Sequence, residues 1–541
     1  MIAVMLSTVG CNGSENTPSG GATTADGALS PYAETLTLTR SGYRNSMTTY
    51  IDGESENDNF ITKFYLDKLN VRFEDKWSAD NDNYYTRLEL AIASGDIPDV
   101  MMVNKSQLGH LVKLGYAADM TDVYNKYAGE LLKKNLEYED RAAFKAAEVD
   151  GRIYALPLTC AYESDAALMW IRSDWLKKTG LNVPTDADSF IEFLRALKES
   201  GLAGYSHSGL DAAGPGSVCF DALAEMWGAY YDIWIPDKNG NGLVYSSFEP
   251  EMRNALIQIQ KMYSEGLIDR NFAINGTPIT DRILRGDVGV VFGQFFYPHL
   301  LKYSLMNDKD ADWEAYPIPA GPDGKVLPKK SVFVDSYAVV SSSCKNPEAL
   351  VKCMNLWSEI WLDGGKYRSW YSDKITGEYK SITGCGNYAV PYFFEGVENC
   401  MNIGKDIRSV FSEDAPEKAI ENYPYAKITY SYIHNEDPQS FIKGEGWALK
   451  KVYMSGERVF SDNYGEYMTN RYQGMMSGKN SYTEARWRTR TVETFLNIIM
   501  GDPIEEFDKL KKEWTENSGR QLIDEVNLWY AEDKAADGKT S

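Results

Sequence analysis

Aromatic side chains carry most of the chemistry open to this sequence. Its 541 residues include 36 Tyr, 13 Trp and 20 Phe, but only four His, at 110, 207, 299 and 434. None of these histidines has the spacing of a zinc-binding HExxH helix. The cysteines at 160, 219, 344, 353, 385 and 400 lack CxxC spacing, so neither a metal nor a redox motif is supported. Tyr and Trp offer a flat apolar face with a polar tip, which suits wet recognition surfaces. Trp227, Tyr230, Tyr231 and Trp234 lie within eight residues. That spacing is also one stripe of a helix, for which core packing is an equal reading. Phe295, Phe296 and Tyr297 follow the apolar run Val288–Phe292 and Gly293, at a strand's C-terminal end, where open α/β sheets bind ligands. Tyr43 and Arg44 follow the first strand in an equivalent place. Trp370, Tyr371 and Trp447 fall in Gly- and Ser-rich stretches, where an exposed ring needs a reason. For the polar candidates, a solvated surface position is the alternative.

Asp237, Asn239, Asn241 and Gly242 match positions one, three, five and six of a calcium loop. Position twelve is Phe248, and Glu249 comes one residue late. The repeated Asn-Gly is equally a hairpin signal, so a structural calcium and a plain turn both stay open, and no other cofactor is expected. With 56 Lys+Arg against 78 Asp+Glu, the formal net charge is -22. Such a chain lacks the pull toward phosphate backbones, which excludes nucleic acid as a partner, and anionic surfaces repel it. A glycosidase would need two carboxylates facing each other at ~5–9.5 Å. No motif singles out such a pair, and Glu505-Glu506 stands at a helix start, where acids stabilise the dipole. No catalytic residue is assigned.

The elements that must position these residues alternate between strand and helix. Thr35–Arg40, Leu69–Trp77, Asp99–Val103, Ala167–Ile171, Val288–Phe292 and Val332–Val340 read as strands. Thr185 is expected to cap a helix with Phe190, Ile191, Leu194 and Leu197 on one face. Pro250 opens a helix that Gly266 stops. Phe507, Leu510 and Trp514 share a face of a helix ending near Gly519, and Leu522 begins the next. This alternation argues for α/β layers. The length implies more than one domain. At the start, Met1–Cys11 is apolar, too short to span a membrane, and resembles the end of a secretory segment running into a bacterial lipobox. Val9 and Gly10 fit that pattern, Thr8 departs from it, and no Lys or Arg precedes it. Cys11 is the expected lipidation site, residues 1–11 a signal remnant, and the small, polar residues 12–34 a flexible tether.

Several segments resemble one family, the extracellular solute-binding proteins of ABC importers, family 1, in its Gram-positive sugar- and oligosaccharide-binding lipoprotein branch. They are Ala93-Ser-Gly-Asp-Ile-Pro-Asp-Val100, Asp150-Gly-Arg-Ile-Tyr-Ala-Leu-Pro157, Met169–Pro184, Glu265-Gly-Leu-Ile-Asp269, Pro319–Lys325, Lys345–Leu350 and Phe495–Gly501 through Phe507 to Glu525-Val-Asn527. They occur in family order over residues ~35–531. The resemblance implies an α/β, two-lobed periplasmic-binding-protein-like fold (type II), each lobe a mixed sheet flanked by helices, with the ligand cleft between them. The first lobe would hold 35–157 plus about 334–400, and the second 158–333 plus about 401–541. Sugars present flat faces edged by hydroxyls, so a site needs aromatic platforms and polar partners. By this topology Tyr162 and Glu163 follow the first crossing, and Asp335 and Tyr337 lie in the strand of the second. Some alginate-binding relatives carry calcium at a comparable loop. The resemblance implies a monomeric lipoprotein, anchored by lipid on the outer face of the bacterial membrane, that passes a carbohydrate to ABC permease transmembrane subunits. A secreted carbohydrate-active enzyme and a ligand-sensing receptor subunit are the alternatives.

Overall fold

The computed structural model describes residues 27–540 except 45–47, 52, 161–165, 203–208, 211–214, 216, 271, 273–278, 331–333, 363, 377, 379–387, 389–393, 395, 397–398, 413–419, 421–429 and 431–444. In chain order the strands include β1 (Leu36–Arg44), β2 (Val71–Asp80), β3 (Val100–Val103), β4 (Leu156–Thr159), β5 (Leu168–Arg172) and β6 (Gly209–Leu210). They continue with β7 (Trp234–Pro236), β8 (Leu243–Tyr245), β9 (Val288–Gly293), β10 (Trp313–Tyr316) and β11 (Val334–Val340). Two main sheets form, one in each lobe. The first has the order β2-β1-β3-β11-β4, the second β10-β5-β9-β6, and β7 and β8 pair as a separate hairpin. The flanking helices include α1 (Phe60–Leu69), α2 (Lys105–Lys113), α3 (Ala187–Ser200), α4 (Val218–Glu225) and α5 (Pro250–Ser264). Others are α6 (Arg368–Thr376), α7 (Glu445–Lys451), α8 (Gly478–Met500), α9 (Glu505–Glu516) and α10 (Ser518–Thr540).

Local chemistry explains where these elements start and stop. The helix Asn81–Ser94 ends at Gly95, whose φ of 72° suits a residue without Cβ, and Pro98 then keeps the chain extended into β3. Asn70 caps α1 in the left-handed region and launches β2. The cap of α3 is Asp186, one residue after the expected Thr185. The Ser189 N–H donates to Asp186 Oδ1 at 2.8 Å, and Ser189 Oγ accepts from Asp186 N. Such a cap contributes about 1 kcal/mol. Gly519 lies inside α10 rather than ending the preceding helix, because it packs directly on Trp514, where a Cβ would meet backbone.

Separate cores sit behind each sheet. The first gathers residues from Tyr32 to Leu158 and from Tyr337 to Phe394. The largest core behind the second sheet runs from Ala167 to Ile318 and returns from Tyr472 to Val526. Much of the aromatic surplus is spent there. Trp234, Tyr245, Phe248 and Trp487 all surround Trp514 with ring centroids 5.1–6.2 Å apart, geometry that adds to their area burial. Cys219 and Cys353 are buried, and Cys160 and Cys344 are half-buried. Among the described residues, no helix is long and apolar enough to cross a membrane.

Candidate functional site

Strand directions decide which edges of the two sheets face the crossings. β1 runs parallel to β2 and β3. β11 is antiparallel to both β3 and β4, with Tyr337 opposite Val103 and Val334 opposite Thr159. One edge of the first sheet therefore carries the ends of β1, β2, β3 and β4 and the start of β11. In the second sheet, Leu168 at the start of β5 lies opposite Gly293 at the end of β9, and Met169 opposite Tyr316 at the end of β10. Two of the three crossings, β4 to β5 and β10 to β11, join these two edges. The lobes also touch beside them. Ser106 Oγ lies 3.0 Å from Ser481 Oγ, Met475 packs against Gly109, and Lys145 pairs with Asp533 at 2.9 Å.

The aromatic candidates divide on this frame. Phe295, Phe296 and Tyr297 do stand at the end of β9. Phe295 is buried against Phe460, Tyr297 folds over Gly293, and Phe296 is 42% exposed. Trp447 packs into the same cluster, but from helix α7 rather than from a loop. Tyr43 and Arg44 are the last residues of β1, which runs four residues beyond the expected Arg40. Tyr43 stacks edge-on to Tyr84, and Arg44 pairs with Glu56. The stripe Trp227–Trp234 is not helical. α4 ends at Glu225, a turn follows, and Trp234 enters β7. Tyr231 and Trp234 are core, Trp227 is half-buried on it, and the Tyr230 hydroxyl donates to Leu327 O at 2.9 Å. Tyr230 also lines a cavity of about 110 Å³ with Ile235, Pro236, Val244 and Met468, on the hairpin side of the second lobe. Tyr337 is buried in the first core. Trp370 belongs to α6 and stacks on Phe64 with centroids 3.9 Å apart. These two, like Trp227 and Tyr230, are engaged in packing, which answers why rings stand there. Tyr162, Glu163 and Cys11 lie outside the described residues, as does the side chain of Asp335 within β11.

A polar network with no counterpart among the sequence motifs lies where the lobes meet. On α4, Asp221 and Glu225 share one face. Lys329, on the second crossing, pairs with Asp221 Oδ2, donates from its backbone to Glu225 Oε1 at 3.2 Å and from Nζ to Tyr231 O at 3.1 Å. Asp232 accepts from Tyr245 and pairs with Arg488 at 2.8 Å. Arg488 neighbours Glu484 on α8. Glu484 in turn faces Lys105, the first residue of α2 directly after β3, whose Nζ sits 4.9 Å from the Tyr472 ring centre. Burial pulls the Lys105 ammonium down to about 8 against the pull of Glu484. Burial and then Asp221 push Glu225 up to about 8, with Lys329 opposing, and burial raises Asp221. Among the described residues, Asp221 Oδ1, Glu225 Oε2, Tyr231 Oη and Trp77 Nε1 are buried without a hydrogen-bond partner. Trp77, near the end of β2, lies under the Arg87 guanidinium. One local signal existed for this network: two acids four residues apart in the apolar run Val218–Glu225, an arrangement that repels on an isolated helix.

The Asp237 loop is a hairpin turn. Asp237 N donates to Gly242 O at 2.8 Å, and Asp237 Oδ1 accepts from Asn239 N. Leu243 holds position seven of the calcium pattern, where a carbonyl would face the ion. Its N–H and C=O are both taken by the Asn527 side chain, at 2.6 and 3.0 Å, and Gly242 leaves room for that amide. Phe248 is buried and Glu249 caps α5. The loop thus offers one carboxylate, two side-chain amides and a backbone carbonyl that already accepts one bond from Asn527. Among the described residues, no group of three His, Cys, Asp or Glu is placed to hold a metal.

Known proteins share this architecture. The lipoprotein LipO of Bacillus subtilis is 24% identical over 85% of this chain and 86% of its own length. The fructooligosaccharide ABC transporter substrate-binding protein FusA of Streptococcus pneumoniae is 23% identical over 65% of this chain and 66% of its own. The structure of FusA with kestose superposes with a TM-score of 0.60 at 17% identity, covering 93% of this chain and all of FusA. The alginate-binding protein AlgQ2 without calcium gives 0.60 at 18%, covering 94% of this chain and all of AlgQ2. Residues 67–357 match the bacterial extracellular solute-binding proteins, and the chain belongs to that family.

Proposed function

We propose that this protein captures an extracellular carbohydrate, probed best as an oligosaccharide, between its lobes and delivers it to the transmembrane subunits of an ABC importer. The lobes in this reading are 35–157 with about 334–400, and 158–333 with about 401–541. The observation that carries it is the set of buried oxygens on Asp221, Glu225 and Tyr231, around Lys329 of the second crossing, that lack partners among the described residues; the exposed Phe296 at the end of β9 adds an apolar face. A sugar presents both complements, an apolar ring face and hydroxyl donors. Relatives named for fructooligosaccharide and alginate binding support the same class. Asp221 and Glu225 lie on one face of one helix, not opposed across a cleft as glycoside hydrolysis requires. That supports binding without catalysis. The protein acts as a monomer held at the cell surface through Cys11 and the tether 12–34, and the Val9-Gly10-Cys11 sequence motivates that anchor.

Two results follow. A bound glycan stabilises the fold through mass action, by about 2.7 kcal/mol at a hundredfold excess over Kd, which raises Tm, and it is recovered intact. Release of reducing ends over hours of incubation would instead identify an enzyme. In the producing cell, Cys11→Ser shifts the protein from the membrane pellet to the soluble fraction, and unchanged partitioning would exclude lipidation at Cys11.

A further inference from the structure

We propose that the ligand selected at this lobe boundary is uncharged, a neutral oligosaccharide rather than a uronate or an amino sugar, with Asp221, Glu225 and Tyr231 as its specificity-determining contacts. This rests on the carbohydrate reading above and narrows it. The three cations of the network are all engaged by acids: Lys329 by Asp221, Arg488 by Asp232, and Lys105 facing Glu484. Leaving aside Glu225, which burial discourages from ionising, four acids stand against those three cations, the fourth being Glu525 with its bonds to Ser477 and Asn480. A carboxylated ligand would have to displace an internal partner or sit beside like charge in a water-poor site, where repulsion is strongest.

A cationic ligand is disfavoured for the opposite reason. The carboxylate it would seek is paired with a cation, as Asp232 is, already accepting internal hydrogen bonds, as Glu525 is, or discouraged from ionising by burial, as Glu225 is. The groups left to meet a ligand are single oxygens: Asp221 Oδ1, Glu225 Oε2 and Tyr231 Oη. Each matches a hydroxyl, which can donate or accept as its neighbour requires.

Thermal unfolding of the full chain with three pools of size-matched oligosaccharides tests this. The pools are neutral (fructan, mannan, xylan and glucan fragments), uronate (alginate and pectate fragments) and amino-sugar (chitosan fragments), each at low and high salt. The expected result is a Tm rise with the neutral pool alone, unchanged by salt. A rise with the uronate or amino-sugar pool that fades with salt overturns the charge inference and leaves the carbohydrate reading standing. No response to any pool overturns both. With the active fraction, Tyr231→Phe should bind roughly 3- to 10-fold more weakly, the scale of one neutral hydrogen bond, with unaltered unfolding in the absence of sugar. Asp221→Asn should also weaken it, and unchanged affinity in both variants overturns the assigned contacts.

Discussion

Trp170→Ala is expected to lower stability by about 3–5 kcal/mol, the usual range for emptying a large aromatic site, and to abolish the response to ligand. Trp170 is fully buried in β5, between Ala315 of β10 and Val291 of β9. Its Nε1 donates to Gln294 O at 3.2 Å, which fixes the turn leading into Phe295, Phe296 and Tyr297. Its ring lies against Gly456, in the π-helical turn Val452–Glu457, where a Cβ would meet both that ring and Phe295 O. Such turns concentrate at functional sites. The substitution therefore opens a cavity and leaves the Gln294 carbonyl with the Tyr297 N–H as its remaining donor, which loosens the aromatic turn. Denaturant titration checks the first effect and ligand-induced Tm change the second. A loss below about 1 kcal/mol, within the range of ordinary substitutions, with ligand response intact, would show that the turn is held by other contacts.

Glu225→Gln is expected to change how stability depends on pH. Glu225 is 5% exposed, and its folded-state value of about 8 lies above the ordinary 4.5. Between those values the folded chain holds a proton that the unfolded chain has released, so stability falls as pH rises through this window. Below about 4.5 both states are protonated, and above about 8 neither is, so the contribution is flat on either side. Glutamine keeps the shape and removes the titration. The variant should match the parent near pH 4.5 and exceed it progressively toward pH 8, by up to a few kcal/mol. Parallel pH profiles for both proteins would mean that Glu225 remains ionised in the fold, held by Lys329 against the repulsion of Asp221.

Local signals in the sequence were strong enough to place most of the fold. Gly95 with Pro98, Pro250 with Gly266, and the apolar runs at 167–171 and 288–292 each act within a few residues, and the elements fall within a few residues of their expected bounds. Asn527, part of the resemblance, has a physical role in the fold, because its amide clamps both backbone groups of Leu243, 284 residues away. Periodicity misled at Trp227–Trp234, because a turn running into a strand can repeat a helical spacing by chance, and packing against Trp514 decides those positions. Trp370 looked exposed because Ser and Gly surround it, yet α1 supplies Phe64 as its partner. The polar network was hidden for a different reason. Lys105, Asp221, Lys329 and Glu484 come from four distant segments, and nothing in any one segment announces the others. Only the spacing of Asp221 and Glu225 was visible locally.

The strand order of the first sheet has a mechanical consequence. Two of the three crossings leave from β4 and β11, which are neighbours at one side of the sheet. Rotation of the lobes about the line of these two crossings acts as a lever. β2 lies four strand spacings from β4, roughly 19 Å at ordinary inter-strand distances. A small angle at the joint becomes its largest displacement there, at the rim that carries Trp77. That indole, with a buried N–H and a guanidinium over its ring, stands where such a rotation moves the first sheet most.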